Sequence, residues 1–402
     1  KLKNMKKSFR CPLLSSDEAA SVMIPFSRIE EERNGVKAVI TKYGFCVVTN
    51  VLSAAECKIM EKAINDDLSE LIDHDVIKND RKIATSYRRC IKLGVGGWPL
   101  ETLKALGIKN RFQRKGLPHG RFPWQGRMHL NVKHVYEVLH ETDDLVSSCD
   151  NSFVTSTSEA EAVENYLWPH VDQNDYDFSI GQYDIYQGLL YCWPSVKSHS
   201  STTVIWPRSH LPEIYDQYMK DPYLQKRGKK GNHFTAISMI QDGKIKEEMM
   251  QGWITHCRRI PMPAGGLLLW SSRTTHQGWA GGPRLAQPVC WEPQERRSNK
   301  ARNRKLALAA LGLPSTHSAS MGTPHNLVEK QQPTITVHTK TGEGYEATIL
   351  PMKETVKSMA LREGVNVLDV WDRLKGINFQ SISSDHLCYL ESILREEYME
   401  VL

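Results

Sequence analysis

Ile185-Tyr-Gln-Gly-Leu-Leu-Tyr-Cys-Trp193 is the stretch whose reading decides the fold. It is a short apolar run, and similar runs recur at Thr202 to Trp206, Gly266 to Trp270 and Gln287 to Trp291, separated by turns. Several short strands without regular helices between them predict a β-sandwich or barrel.

Upstream, Phe153-Val-Thr-Ser reads as a further strand, followed by a polar link rich in Glu and Ala. Residues 131–147 are a helix candidate, and the Arg-, Gly- and Pro-rich interval 75–130 reads as loops around short elements. Residues 36–50 end in an apolar strand. Ser53-Ala-Ala-Glu56 is then a capping box, in which Ser caps the backbone and Glu reaches back three residues. The helix it starts runs to about residue 72, with Cys57, Met60, Ile64 and Leu68 on one face. Residues 1–35 form a partly helical lead-in. The interval 211–262 reads as a part-helical insertion carrying the basic cluster Lys226-Arg227-Gly-Lys229-Lys230.

After Trp291 the composition shifts. A basic run over 295–305 leads into a helix at 305–312, which Gly312-Leu-Pro-Ser ends. A hairpin is predicted around Thr341-Gly-Glu-Gly, within 334–350, and helix over most of 353–402. The domain reading is a lead-in at 1–35, a main domain at 36–297 with its insertion, and a mostly helical extension at 298–402.

The composition of the 402 residues, 40% hydrophobic and 24% charged, is that of a soluble globular protein. There is no run of 18 apolar residues, which argues against a membrane span. The N-terminus is basic without an apolar core, so it does not read as a signal peptide; an organelle presequence ahead of Lys1 would be compatible with it. Nine scattered cysteines without a CxxC predict reduced, buried thiols in an intracellular, cytoplasmic protein. A net charge of +6 is mildly basic, without the sharp basic stripe of a nucleic-acid binder.

The chemistry-bearing residues lie around these strands. His170 and Asp172 are two apart, so on a strand both face one way and can reach one metal. His276 follows Leu267-Leu-Leu-Trp270, and an antiparallel neighbour can bring it beside the pair. Two imidazoles and a carboxylate leave the opposite side of a metal open, which suits Fe(II) enzymes that bind a bidentate organic acid and O2 together. Arg284, across the turn Gly281-Gly-Pro, can clamp a carboxylate bidentately. His-x-Asp alone is common by chance, and His276 is one of 15 histidines.

Three stretches add weight. Tyr43-Gly-Phe-Cys-Val-Val-Thr-Asn-Val-Leu-Ser-Ala-Ala-Glu56, Thr202-Thr-Val-Ile-Trp-Pro-Arg-Ser-His210, and Pro263-Ala-Gly-Gly-Leu-Leu-Leu-Trp270 with His276 and Arg284 together resemble the phytanoyl-CoA dioxygenase-like branch of the Fe(II)/2-oxoglutarate-dependent oxygenases. The resemblance spans residues 36–297. It implies a double-stranded β-helix (jelly roll) with flanking helices, so the expected class is mainly β with α. It implies Fe(II) on His170, Asp172 and His276, and 2-oxoglutarate chelating the iron and paired with Arg284. It implies consumption of O2, with ascorbate as a supporting reductant. The outcome is hydroxylation, or desaturation or ring closure as variants. The sequence departs from the family pattern in three places. Arg208 stands where the family has glycine, Gly278 stands where a hydroxyl is common, and Arg284 follows the distal histidine slightly sooner.

Further candidates are Gln187, Tyr183 and Trp291 for 2-oxoglutarate, and Asp175, Arg88 and Arg127 for substrate; barrel packing and a solvated surface are the bland alternatives for these six. Tyr186, Tyr191 and Trp193 are placed like Gln187, and His210 reads as structural. The expected substrate is a small molecule, carboxylated or otherwise anionic, with no membrane partner. The rival readings are a dioxygenase acting on a nucleic-acid base or protein side chain, and a non-catalytic binding protein on the same fold.

Overall fold

The computed structural model describes residues 8–31, 35–70, 120–157, 159–177, 180–197, 200–298, 301, 317–319, 334–338 and 344–348. Arg88, the basic-run helix at 305–312 and the helices expected over 353–402 lie outside these residues. The strands, in chain order, are β1 (Ser8–Phe9), β2 (Met23–Pro25), β3 (Phe45–Thr49), β4 (Leu145–Ser147), β5 (Phe153–Thr155), β6 (Asn165–Tyr166), β7 (His170–Val171), β8 (Tyr186–Tyr191), β9 (Thr203–Ile205), β10 (Thr235–Ala236), β11 (Arg258–Arg259), β12 (Gly266–Ser271), β13 (His276–Gly278), β14 (Arg284–Val289), β15 (Trp291–Pro293), β16 (Thr334–His338) and β17 (Gly344–Thr348).

The chain forms two compact units. The first comprises Lys1–Cys57, Leu130–Asp143 and Glu159–Arg284. It holds a five-stranded sheet in the order β10-β7-β13-β9-β11, and a second sheet in which β2, β3, β12 and β8 are successive neighbours. Successive core strands alternate between the two sheets: β7, β9 and β13 in one, β8 and β12 in the other. That alternation is the jelly-roll winding. The sheets meet through side chains, as where Tyr191 Oη of β8 lies 3.2 Å from Thr203 Oγ1 of β9.

The second sheet is built from the apolar runs. Leu267 to Trp270 pair with Val48 to Phe45 on one side and with Leu190 to Gln187 on the other. Residues 266–271 are buried along their whole length, which is why the sequence shows a continuous apolar run there rather than an alternating one. The five-stranded sheet instead alternates. His170, Thr203, Ile205 and His276 share one face, while Val171 and Val204 point the other way into a core with Trp206, Tyr215, Tyr218 and Leu224.

Much of that second face is covered by the 211–262 segment. It folds as helices Pro212–Met219, Pro222–Gly228 and Gly243–His256. It also supplies both edge strands of the five-stranded sheet, β10 beside β7 and β11 beside β9. The basic cluster falls at the end of the helix Pro222–Gly228, where Lys226 and Arg227 complement the helix dipole. In the N-terminal part, Ser53 and Glu56 make both capping-box hydrogen bonds, at 3.2 and 2.7 Å, and open the helix Ala54–Glu70.

The second unit comprises Lys58–His129, Asp144–Ser158 and Leu285–Leu402. In it β15 pairs with β4, and β14 neighbours β5. The helix Arg121–Met128 begins at Gly120, which has no capping side chain. The buried carboxylate of Asp67 accepts the N–H groups of Arg121 and Phe122, both at 2.9 Å, and supplies the missing cap. β16 and β17 form an antiparallel hairpin at the expected place. The helix expected over 131–147 is shorter, Leu130–His140, and the chain then turns into β4. No helix among the described residues is long and apolar enough to cross a membrane.

Candidate functional site

The register of β7 against β13 sets His276 directly opposite His170. Asp172 follows two residues after His170, and its backbone N–H donates to the Ser272 carbonyl at 3.0 Å. The three side chains are buried and offer donor atoms that all lie within 4.8 Å of one another. His276 Nε2 is 3.2 Å from Asp172 Oδ2, and His170 Nε2 is 3.9 Å from Asp172 Oδ1.

Each imidazole is oriented from behind. His276 Nδ1 lies 3.0 Å from the Thr274 carbonyl and His170 Nδ1 lies 3.3 Å from the Trp168 carbonyl. A carbonyl can only accept, so each Nδ1 donates to it and each Nε2 is turned toward the carboxylate. A carboxylate buried beside two imidazoles needs a positive charge near it, which a proton on an imidazole or a metal held among the three side chains supplies. With their Nε2 atoms unprotonated, two imidazoles and one carboxylate form a donor set that fits a divalent metal of the first transition row.

Gln187 holds the carboxylate. Its Nε2 donates to Asp172 Oδ2 at 3.2 Å and to Ser272 Oγ at 3.1 Å. It therefore braces Asp172 from β8.

Arg284 is buried at the start of β14. Its Nη2 donates to Tyr191 Oη at 2.8 Å, with Thr203 Oγ1 at 3.5 Å, and its guanidinium lies 5.2 Å from the Tyr191 ring centre. Thr203 pairs with Gly278, and Ile205 pairs with His276. Thr203 is therefore diagonal to His276 on the same sheet face, a separation of about 7–8 Å between such neighbours. A cation and two hydroxyls so placed can hold a carboxylate that reaches toward the three clustered side chains. Thr203 was not among the sequence candidates, because its place beside Arg284 depends on strand pairing and a lone threonine in an apolar run carries no signal. It also supplies, from the neighbouring strand, a hydroxyl beside the position that Gly278 leaves bare.

The remaining candidates sit as follows. Asp175 is exposed and pairs with Arg273 Nε at 2.9 Å; Arg273 also reaches Asp184 at 3.2 Å and the Gly181 carbonyl at 2.7 Å. Burial disfavours the Arg273 charge, but the carboxylates more than offset this and raise its pKa above the usual value. Tyr183 is half-buried in the turn before β8, and its carbonyl accepts from Gln173 Nε2 at 2.8 Å. His210 Nε2 contacts the Thr41 carbonyl at 2.9 Å. Arg127 and Trp291 belong to the second unit. Arg127 is buried with its guanidinium 4.8 Å from the Trp124 ring and donates to the Asp150 carbonyl, while Trp291 Nε1 donates to the Arg127 carbonyl at 3.1 Å.

Comparison with known proteins gives one curated relative, "Ava biosynthesis cluster protein O" of Aspergillus versicolor. It is 24% identical over 209 residues, which are 50% of this chain. The chain spans 64% of the length of that relative. No family model matches the chain. Among solved structures, the epimerase SnoN in complex with Fe3+, alpha ketoglutarate and nogalamycin RO is 15% identical with a TM-score of 0.37, covering 65% of this chain and 84% of SnoN. GlcNAc Inducible Gene 2 of Candida albicans is 11% identical with a TM-score of 0.45, covering 96% and 86%. EctD of S. alaskensis with 2-oxoglutarate and 5-hydroxyectoine is 11% identical with a TM-score of 0.37, covering 73% and 86%. At these values the jelly-roll assignment rests on the strand winding itself.

Proposed function

We propose that the chain is an Fe(II)- and 2-oxoglutarate-dependent oxygenase that oxidises an unactivated C–H bond of a small molecule. The observation that carries this reading is the buried cluster of His170, Asp172 and His276, whose donor atoms all lie within 4.8 Å of one another, with His276 Nε2 3.2 Å from Asp172 Oδ2. His170, Asp172 and His276 would hold the iron. Arg284, with Tyr191 and Thr203, would hold the far carboxylate of 2-oxoglutarate. Bound iron, the keto acid and O2 together supply a strong oxidant as the keto acid is converted to succinate and CO2.

The chain's own residues set position and access. The Thr274 and Trp168 carbonyls fix both imidazole tautomers, and Gln187 fixes the carboxylate. Arg284 sets the direction from which a dicarboxylate enters, and burial of the cluster keeps water from competing for the donor atoms. Hydroxylation is the default outcome, with desaturation and ring closure as variants. A role in specialised metabolism is supported by the name of the curated relative, a biosynthesis cluster protein, and by the long insertion that edges the site-bearing sheet.

The test is succinate formation from 2-oxoglutarate by the purified protein, with and without Fe(II), ascorbate and a panel of small-molecule substrates. Succinate that requires iron and disappears in His170→Ala and Asp172→Ala supports the reading. Iron retention and undiminished succinate in both variants contradict it.

A further inference from the structure

Residues 8–14 form a strap tied at both ends within the first unit. At one end Ser8 and Phe9 of β1 pair with Tyr166 and Asn165 of β6, just ahead of His170. At the other end Leu13 bridges Arg259 of β11 in parallel register. The Arg259 N–H donates to the Pro12 carbonyl at 2.8 Å, and the Leu14 N–H donates to the Arg259 carbonyl at 3.0 Å. One step back along that register, two residues on each chain, Cys11 stands opposite Cys257. Neighbouring strands lie about 4.8 Å apart, and residues two apart on a strand turn their side chains to the same face. Cys257 keeps extended backbone, φ −70° and ψ 148°, so the register carries through it.

Both cysteines are buried, in the core that also holds Phe9, Val171, Val204 and Trp279. The Cys11 thiol has the Cys257 sulfur within hydrogen-bond reach, and the Pro12 carbonyl at 3.6 Å. The hydrogen bond between the sulfurs pushes the Cys11 thiol up and holds Cys257 down; burial adds to the first effect and opposes the second. Buried Arg259 lies beside the pair. Its Nε donates to the Cys11 carbonyl at 2.7 Å, and its guanidinium is 4.6 Å from the Trp279 ring centre. Burial lowers the Arg259 pKa, while Cys11, Glu161 and Cys257 favour its charge. A cation beside a thiol stabilises the thiolate, which is the reactive form.

We propose that Cys11 and Cys257 are a disulfide-forming pair, whose bridge staples the strap to the edge of the sheet that bears His170 and His276. A disulfide spans Cα atoms roughly 4.4–6.8 Å apart, and in-register strand neighbours fall inside that window. The oxidant is a low-molecular-weight disulfide such as oxidised glutathione. Cys257, as thiolate, attacks one of its sulfurs; the small S–S bond breaks, and one small thiolate leaves and takes up a proton. Cys11 then gives up its proton, and its sulfur attacks that of Cys257 and expels the second small thiol. The protein loses two electrons and two protons, and the oxidant gains both as it becomes two thiols. With both sulfurs buried, the first step requires the strap to lift. Exposed Ser8, Arg10 and Pro12 alternate with buried Phe9 and Cys11, so the outer face of the strap is in water and little covers it. The bridge joins residues far apart in sequence, which restricts the unfolded chain. It departs from the expectation that the thiols simply stay reduced.

The pairing does not depend on iron or 2-oxoglutarate, so the metal-free full chain serves as the test protein. It is equilibrated with oxidised glutathione over a range of concentrations, quenched with acid, alkylated and mapped by mass spectrometry, with melting temperature measured in parallel. A cross-linked peptide joining Cys11 to Cys257 is expected, and dithiothreitol should remove it. The bridged protein should melt several degrees above the reduced protein. That difference should vanish in Cys11→Ala and in Cys257→Ala. Alkylation of both thiols at every glutathione concentration overturns the proposal. So does a bridge that forms only in urea, or a bridged protein that melts no higher than the reduced one. The wild-type comparison decides these outcomes whether or not the alanine variants fold.

Discussion

At the scale of single residues, Gln187 holds the buried Asp172 carboxylate from behind. It lies on β8 and donates to Asp172 and Ser272 at once. Gln187→Leu keeps a similar volume but frees the carboxylate to rotate. Metal affinity should fall about 10–100-fold, the usual effect of losing a partner behind a ligand. Equilibrium dialysis with Fe(II) checks this, and an unchanged affinity removes the role. That His170, Asp172 and His276 come together was legible because His-x-Asp spacing on a strand sets two of them on one face and the resemblance pointed to the third. The tasks of Gln187 and Thr203 were not, since they depend on which strand lies beside which. Arg208 adds a further departure. It stands in left-handed backbone, φ 66°, where the family pattern has glycine, with its guanidinium 5.6 Å from the Tyr43 ring.

At the scale of elements, the apolar runs located the strands to within a few residues, because burial on both faces leaves a run that is hard to mistake. Boundaries failed where punctuation was missing. The helix Leu130–His140 ends at Glu141, which adopts φ 57°, a conformation that glycine usually marks. With glutamate there, nothing in the sequence announces the stop before β4. The entry to β12 shows the opposite case. Gly265 has φ 75°, its carbonyl accepts the N–H groups of Val51 and Leu52 at 2.9 and 3.0 Å, and a Cβ on it would lie 2.1 Å from the Leu52 carbonyl oxygen. Gly265→Ala should therefore cost roughly 2 kcal/mol or more, from left-handed strain plus a backbone clash. Urea denaturation measures it, and a loss under about 0.5 kcal/mol, typical of a neutral surface change, would show that the turn can rearrange.

At the scale of the whole molecule, the donor atoms of the cluster come from β7, the residues after it, and β13, so a bound metal ties together strands distant in sequence. A ligand that binds only the folded state stabilises it by about 2.7 kcal/mol at a hundred times its dissociation constant. Adding Fe(II) anaerobically should raise the melting temperature, a chelator should reverse the rise, and His276→Ala should abolish it. The most direct test of the central claim is calorimetric titration of 2-oxoglutarate into the anaerobic protein. One binding event per chain is expected, requiring Fe(II) and lost in Arg284→Ala. Binding that is indifferent to the metal, or that survives intact without Arg284, would contradict it.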